Sequence, residues 1–374
     1  MGINLNLSTC SGCGACREIC PTRAIEFAKN EQGFSYPKIN ADKCISCGKC
    51  KKICAKTAET NAIKRAVILR HSQDQVYNAS QSGGAFTLFS DYVLANSGVV
   101  YGAHLNDTFT LSHFRATSRE ERNSMHGSVY IQSDAYLIFE EIAGDLKRNR
   151  NVMFIGTPCQ VSALKKYLED KKVETHGLFL VDLLCHGVAS VEVWRSLIAH
   201  YENKCMHPLS KIDWSGCDEQ TRPYFTFQFG EISLTDSQFK KLYYSNLMMR
   251  PSCYQCSFTR FERTGDISIG DASGVRHNDS EFYNPKGTSL VLLNTLKGVE
   301  MWKSVMKKSF YKEVNIQDYL QQCLIESAKT KRSPDEFWAD YKSNGMDYVL
   351  QKYAEHKIIL NLRYIFRRIL KGRG

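Results

Sequence analysis

The sequence predicts an α+β protein: a small cysteine-rich module over residues 1–60, a larger α/β domain over 67–310, and a helical basic extension over 311–374. Three observations predict it. Eight of the 15 cysteines lie within the 45 residues from Cys10 to Cys54 and repeat one spacing. From about Val67, short apolar runs alternate with amphipathic stretches, as strands and helices do in an α/β domain. From Pro334 the chain reads as helical.

Composition bounds what this architecture can be. A length of 374 residues suffices for a module and one large domain, and 43% hydrophobic with 24% charged residues is ordinary for a globular protein. No apolar run reaches the ~20 residues of a membrane-spanning helix. The start, MGINLNLSTC, lacks the basic opening and apolar stretch of a signal peptide, so a cytoplasmic protein is expected. The net charge of +10 comes partly from the C-terminal end, and with no nucleic-acid motif or aromatic-basic platform, no nucleic-acid partner is expected. In a long chain without a signal, densely packed cysteines point to metal ligation rather than disulfides.

In the module, Cys10, Cys13, Cys16 and Cys20, then Cys44, Cys47, Cys50 and Cys54, share the pattern C-x2-C-x2-C-x3-C. A 4Fe-4S cluster needs four converging thiolates; three close cysteines cover one face of the cube and a distant fourth closes it. In two-cluster bacterial ferredoxins the fourth cysteine serves the other half's cluster. The expected sets are therefore Cys10, Cys13, Cys16 with Cys54, and Cys44, Cys47, Cys50 with Cys20. Structural zinc, the rival, favours paired CxxC units.

A second group is spread through the larger domain: Cys159 in GTPCQVSAL, Cys185 in VDLLCHGVAS, and Cys253 with Cys256 in RPSCYQCSF. Gly98 to Tyr101, Val152 to Ile155 and Leu178 to Leu184 read as strands. The last two look like neighbours in one parallel sheet, placing Cys159 and Cys185 at carboxyl ends, where open α/β sheets build sites. A CxxC loop folding over that edge would complete a third quartet. Buried free cysteines and a lone redox CxxC are the competing readings. Cys205, Cys217 and Cys323 fall in no motif and read as packing residues or surface thiols.

Three further segments are candidates. Ser80 to Gly84 opens onto the apolar AFTLFSDYVL, and glycines before a helix N-terminus let backbone approach an anion, although ordinary loops look the same. GDISIGDASG and KGTSLVLLNT read as strands whose Asp266, Gly270, Asp271 and Gly287 line a cleft or serve as turn residues. Asn203 to Tyr244 reads as an inserted antiparallel piece. At the end, Ile358, Ile359, Leu362, Ile365, Phe366, Ile369 and Leu370 follow helical spacing opposite Arg363, Arg367, Arg368 and Lys371, which suits either peripheral contact with an anionic membrane or docking on the protein's own surface.

Taken in order, the cysteine repeat, SQSGGAFTLF, GTPCQVSAL, LLCHGVAS, RPSCYQC, GDISIGD and KGTSLVLLNT resemble the beta-subunit family of coenzyme F-420 hydrogenases and dehydrogenases, from about Leu7 to Thr295. The resemblance implies that the large domain binds FAD and a third 4Fe-4S cluster on Cys159, Cys185, Cys253 and Cys256, with Ser82, Gly83 and Gly84 as flavin contacts. It implies a flavin-dependent iron-sulfur oxidoreductase that exchanges electrons between a redox partner protein or ferredoxin and a small organic acceptor. A non-catalytic electron carrier is the alternative, as is a relative acting on a substrate linked to polysaccharide synthesis. His186, beside Cys185, is a candidate proton donor. The segment 203–244 and the chain beyond Phe310 have no counterpart in the resemblance.

Overall fold

The computed structural model describes residues 7–54, 60–216, 224–354 and 359–360. Its centre is an eight-stranded mixed sheet, built from β3 (Arg65–His71), β4 (Val99–Leu105), β5 (Leu111–Ala116), β6 (Val152–Gly156), β7 (Leu178–Leu183), β11 (Ile267–Asp271), β12 (Ser289–Leu293) and β13 (Ser309–Val314), in the order β13-β3-β12-β11-β7-β6-β4-β5. β4, β6, β7 and β11 pair in parallel; β5 and the three strands beyond β11 pair antiparallel.

β6 is buried at every position, so its VMFIG run is apolar on both faces. Val152 and Phe154 enter the core on one side with the helices Ile138–Lys147 and Pro158–Asp170. Met153 and Ile155 enter the core on the other, with Ala85–Ala95 and Leu296–Val305.

The N-terminal module pairs β1 (Ile25–Lys29) antiparallel with β2 (Ser35–Ile39) and adds two four-residue helices, Ala15–Glu18 and Lys49–Lys52. It has no separate core on its inner side: Ala15, Ile19 and Ile53 join Phe139, Tyr167 and Phe258 in the large domain's core.

The expected antiparallel insertion is present. β8 (Leu209–Gly216), β9 (Tyr224–Phe229) and β10 (Ile232–Asp236) form a separate sheet that packs with the helices Val191–Cys205, Gln238–Tyr244 and Pro334–Tyr353. Two expectations need correction. β13 runs across the expected boundary at 310, because its backbone completes the ladder on β3 from Ser309↔His71 to Val314↔Ala66. At the C-terminus, Ile359 and Leu360 form β14 and pair with Thr235 and Leu234 on β10, so a strand edge takes up backbone groups that helical spacing had assigned to a helix. The rest of that basic segment, and Cys217, lie outside the described residues. Among the described residues no helix is long and apolar enough to cross a membrane.

Candidate iron-sulfur and cofactor site

The module brings its cysteines together in the swapped combination. Burial raises the Cys13 and Cys16 thiols, and both are raised further by the charges of Cys10 and Cys54, with Cys13 also acting on Cys16. Cys50 is raised by burial and then by Cys20 and Cys47. A cavity is lined by all four cysteines of the second set, Cys20, Cys44, Cys47 and Cys50, together with Pro21, Ile25 and Ile39. Cys20 moves the other way: burial alone would raise it, but the Ala24 amide (3.3 Å) and the Thr22 hydroxyl together outweigh that and favour its thiolate.

The distributed cysteines converge at the carboxyl edge of the parallel strands. Cys159 follows β6 in the first turn of the helix Pro158–Asp170, where the Thr157 hydroxyl lies 3.1 Å from its sulfur. Cys185 lies two residues beyond β7. Cys253 and Cys256 belong to the turn beginning at Pro251–Gln255, with Cys256 just after it. Burial is the largest effect on Cys159, Cys185 and Cys253; it carries Cys253 to about 12. Cys256 acts on all three, Cys159 and Cys185 act on one or more of the others, and the buried Cys323 lies close enough to act on Cys185.

Thiols so disfavoured as thiolates are held as a set when iron neutralises their charge. Among the described residues, no group of three or more His, Cys, Asp or Glu is arranged to hold a metal ion.

The three quartets form one series. Cys50 acts on Cys16, linking the two module sets, and Cys13 acts on Cys159, linking the module to the large domain. Between them lies Arg250, which sequence reasoning missed. Its guanidinium is fully buried and donates from Nε to the Cys10 carbonyl (2.6 Å), from Nη1 to Gln132 Oε1 (2.8 Å) and from Nη2 to the Ser35 carbonyl (2.9 Å), with Nη2 also 3.8 Å from the Cys10 sulfur. It forms no ion pair with a carboxylate among the described residues, and it stands three positions before Cys253. That position in RPSCYQC was its only sequence signal; the partners come from residues about 120 to 240 positions away.

A second buried charge anchors the loop. Arg263 Nη2 donates to Asp182 Oδ1 (2.6 Å), and Asp182 Oδ2 accepts from the Thr264 and Gly265 amides, tying the chain beyond Cys256 to β7 ahead of Cys185.

The glycine loop lies along the same sheet edge, which also carries Leu69, Ser289, Asp271 and Leu183. Gly83 is there for an internal reason: a β-carbon would stand 2.1 Å from the Leu69 carbonyl oxygen and 2.4 Å from the Ser289 nitrogen. Its close approach is to the protein's own strands. Gly84, in the left-handed region, begins the helix Ala85–Ala95. Ser82 Oγ and Gln81 Oε1 are buried without a hydrogen-bond partner.

Asp266 braces the opposite edge, accepting from the Leu180 amide (3.0 Å) and the Thr295 hydroxyl (2.7 Å), so the turn reading holds for it. His186 is held low by burial, against a hydrogen bond with Gln321 and the charge of Asp271, and its ring lies 6.4 Å from that of Tyr244. Gly270 packs against Leu184, and Gly287 lies over Ser82.

Two family models match parts of the chain, and the second runs through the 203–244 segment and past Phe310, which the sequence resemblance had left without a counterpart. Residues 9–58 match the 4Fe-4S dicluster domain, and residues 149–319 match the C terminus of the coenzyme F420 hydrogenase/dehydrogenase beta subunit. The chain is similar to the coenzyme F420 hydrogenase subunit beta of Methanococcus voltae, at 22% identity over 260 residues covering 68% of this chain and 85% of the relative. In fold it is similar to a chain of the F420-reducing [NiFe] hydrogenase complex from Methanosarcina barkeri, with a TM-score of 0.50, 18% identity, and coverage of 78% of this chain and 91% of the other.

Proposed function

From the premise that this is an iron-sulfur electron-transfer protein, with a 4Fe-4S dicluster domain over residues 9–58 and, over 149–319, the C-terminal domain found in beta subunits of the coenzyme F420 hydrogenase/dehydrogenase family, we propose that it is a flavin-dependent oxidoreductase. It would carry single electrons between a redox partner protein and an organic two-electron acceptor. The observation that supports this most strongly is that Cys13 of the module packs with Cys159 and Cys256 of the large domain against one core.

In this reading Cys10, Cys13, Cys16 and Cys54 hold one cluster, and Cys20, Cys44, Cys47 and Cys50 hold another. Cys159, Cys185, Cys253 and Cys256 hold a third. Ser82 Oγ and Gln81 Oε1, the unpartnered polar atoms at the same sheet edge, are the groups that would contact FAD. FAD, when bound, supplies the exchange of electrons in pairs that a one-electron cluster cannot perform. The chain's own work is to hold the thiolates of the inner quartets in register through Arg250, Thr157 and the Asp182–Arg263 anchor.

Anaerobic iron, sulfide and flavin analysis of the full chain tests the reading. Three clusters correspond to about 12 Fe per chain, and Cys159→Ala or Cys253→Ala should each lower this to about 8. Ser82→Ala should lower flavin content with iron unchanged. Iron at about 8 in the wild type, unaffected by Cys253→Ala and without flavin, would instead describe a two-cluster electron carrier.

A further inference from the structure

The two module quartets differ in solvent contact at one ligand. Cys10, Cys13, Cys16 and Cys54 are half-buried, with Cys13 packed against the large domain's core; in the other set Cys20 and Cys44 are half-buried and Cys50 buried, but Cys47 is exposed. Ile45, between Cys44 and Cys47, is 63% exposed, an apolar side chain with no packing role in any of the cores. Beside it in the chain, residues 42–52 carry the exposed cations Lys43, Lys49, Lys51 and Lys52 against one exposed acid, Asp42, and Lys49 lines one cavity with Ile45. Lys49 reaches Asp170 at 3.5 Å, while Lys43, Lys51 and Lys52 have no ion-pair partner among the described residues. An apolar centre beside a solvent-facing electron site, collared by unpaired cations, has the anatomy of a small transient interface. The collar sets the sign of the partner, because opposite charge steers encounter and raises the on-rate.

Resting on the cluster assignment above, we propose that this end of the module docks a small acidic protein that carries electrons one at a time, with Ile45 at the centre of contact and Lys43, Lys51 and Lys52 steering it. The step is a single electron transfer between the carrier's reduced centre and the oxidised cluster on Cys20, Cys44, Cys47 and Cys50; no bond forms and no proton moves. The inner quartets have no comparable exposed face among the described residues, so this is the end through which the series meets a soluble partner.

The test follows anaerobic bleaching of cluster absorbance in the full chain, with a reduced, small, acidic ferredoxin as probe. The wild-type second-order rate should fall steeply with added salt. Lys51→Glu combined with Lys52→Glu should slow it about tenfold or more at low ionic strength, with little difference left at high salt. Ile45→Ser should slow it at every salt concentration. Lys303→Glu with Lys307→Glu, a charge-matched pair in and just after the helix Leu296–Val305, should have no effect, and reduction by a small uncharged photoreductant should be equal in all variants at equal iron content. Unchanged rates in the Lys51/Lys52 variant would overturn the proposal, as would slowing that the uncharged reductant shares. Collar-dependent binding to anionic phospholipid vesicles, without collar-dependent reduction by the ferredoxin, would make the face a membrane contact and overturn it too. Absence of flavin or of the third cluster would defeat the reading above and leave this readout intact, since it follows only the module.

Discussion

The two halves of the module carry the same cysteine spacing and meet opposite fates. In the first half, the residues around the cysteines are engaged by the large domain: Gln132 Nε2 donates to the Ser11 and Gly12 carbonyls, Arg17 pairs with Asp134 and stacks on Tyr136, and the Leu137 amide donates to Glu18. Their counterparts in the second half, Ile45, Ser46, Lys51 and Lys52, are exposed. The central position shows the cause. A β-carbon at Gly12 would stand 2.7 Å from Gln132 Nε2 and 2.8 Å from Arg250 Nη1, whereas its counterpart Ser46 keeps a side chain at φ 55° because nothing presses on it. The difference teaches that the motif specifies ligands, while docking specifies which cluster is inward and which is outward.

The largest effect is expected from Arg250→Ala, which leaves the Cys10 and Ser35 carbonyls and Gln132 Oε1 buried without their donor. The loss should be about 3 kcal/mol or more of stability. Iron should leave the inner module quartet first, with the outer set spared. Thermal unfolding and iron analysis of anaerobically purified protein decide this. Equal loss from both sets would break the distinction between the halves.

The reciprocal swap comes next. Gly12→Ser forces a side chain into the Arg250 contact at φ +68° and should cost about 2 kcal/mol. Ser46→Gly, at the equivalent exposed turn, should change stability by less than about 1 kcal/mol. Comparable costs measured by denaturant unfolding would show that the motif alone, and not the docking, demands the glycine.

The smallest effect concerns Glu18 and its counterpart Lys52. Burial lifts the Glu18 carboxyl to about 7, only partly offset by the Leu137 amide and Arg17. Because the unfolded chain ionises first, near its ordinary 4.5, this group removes stability progressively as pH rises to about 7; the loss is complete above that and absent below 4.5. Glu18→Gln should therefore raise the melting temperature at pH 8 by roughly 2 °C and leave it unchanged near pH 4.5. Lys52→Gln, at the exposed counterpart position, should change stability by less than about 0.5 kcal/mol. A Glu18→Gln gain that persists undiminished at the acid end would assign the effect to something other than ionisation.

Much of this protein was determined by local sequence. Closely spaced cysteines carry their geometry in the covalent chain, so the repeat marked the module, while the exchange of Cys20 and Cys54 between the halves was expected from the two-cluster ferredoxin pattern. β6 was legible because a strand buried on both faces must be continuously apolar, and β7 by the apolar run from Leu178 to Val181; the two runs placed Cys159 and Cys185 at one sheet edge. Periodicity failed at Ile359 and Leu360, where the free edge of β10 offered hydrogen bonds that a two-residue window cannot reveal. Gly83 was legible as a close approach, but only the fold showed that Leu69 and Ser289 are what it approaches. The union of Cys159, Cys185, Cys253 and Cys256, the buried Arg250 between two quartets, and the orphaned oxygens of Gln81 and Ser82 belong to the tertiary structure. Each depends on contacts between residues far apart in the chain, whose burial and partners no spacing rule encodes.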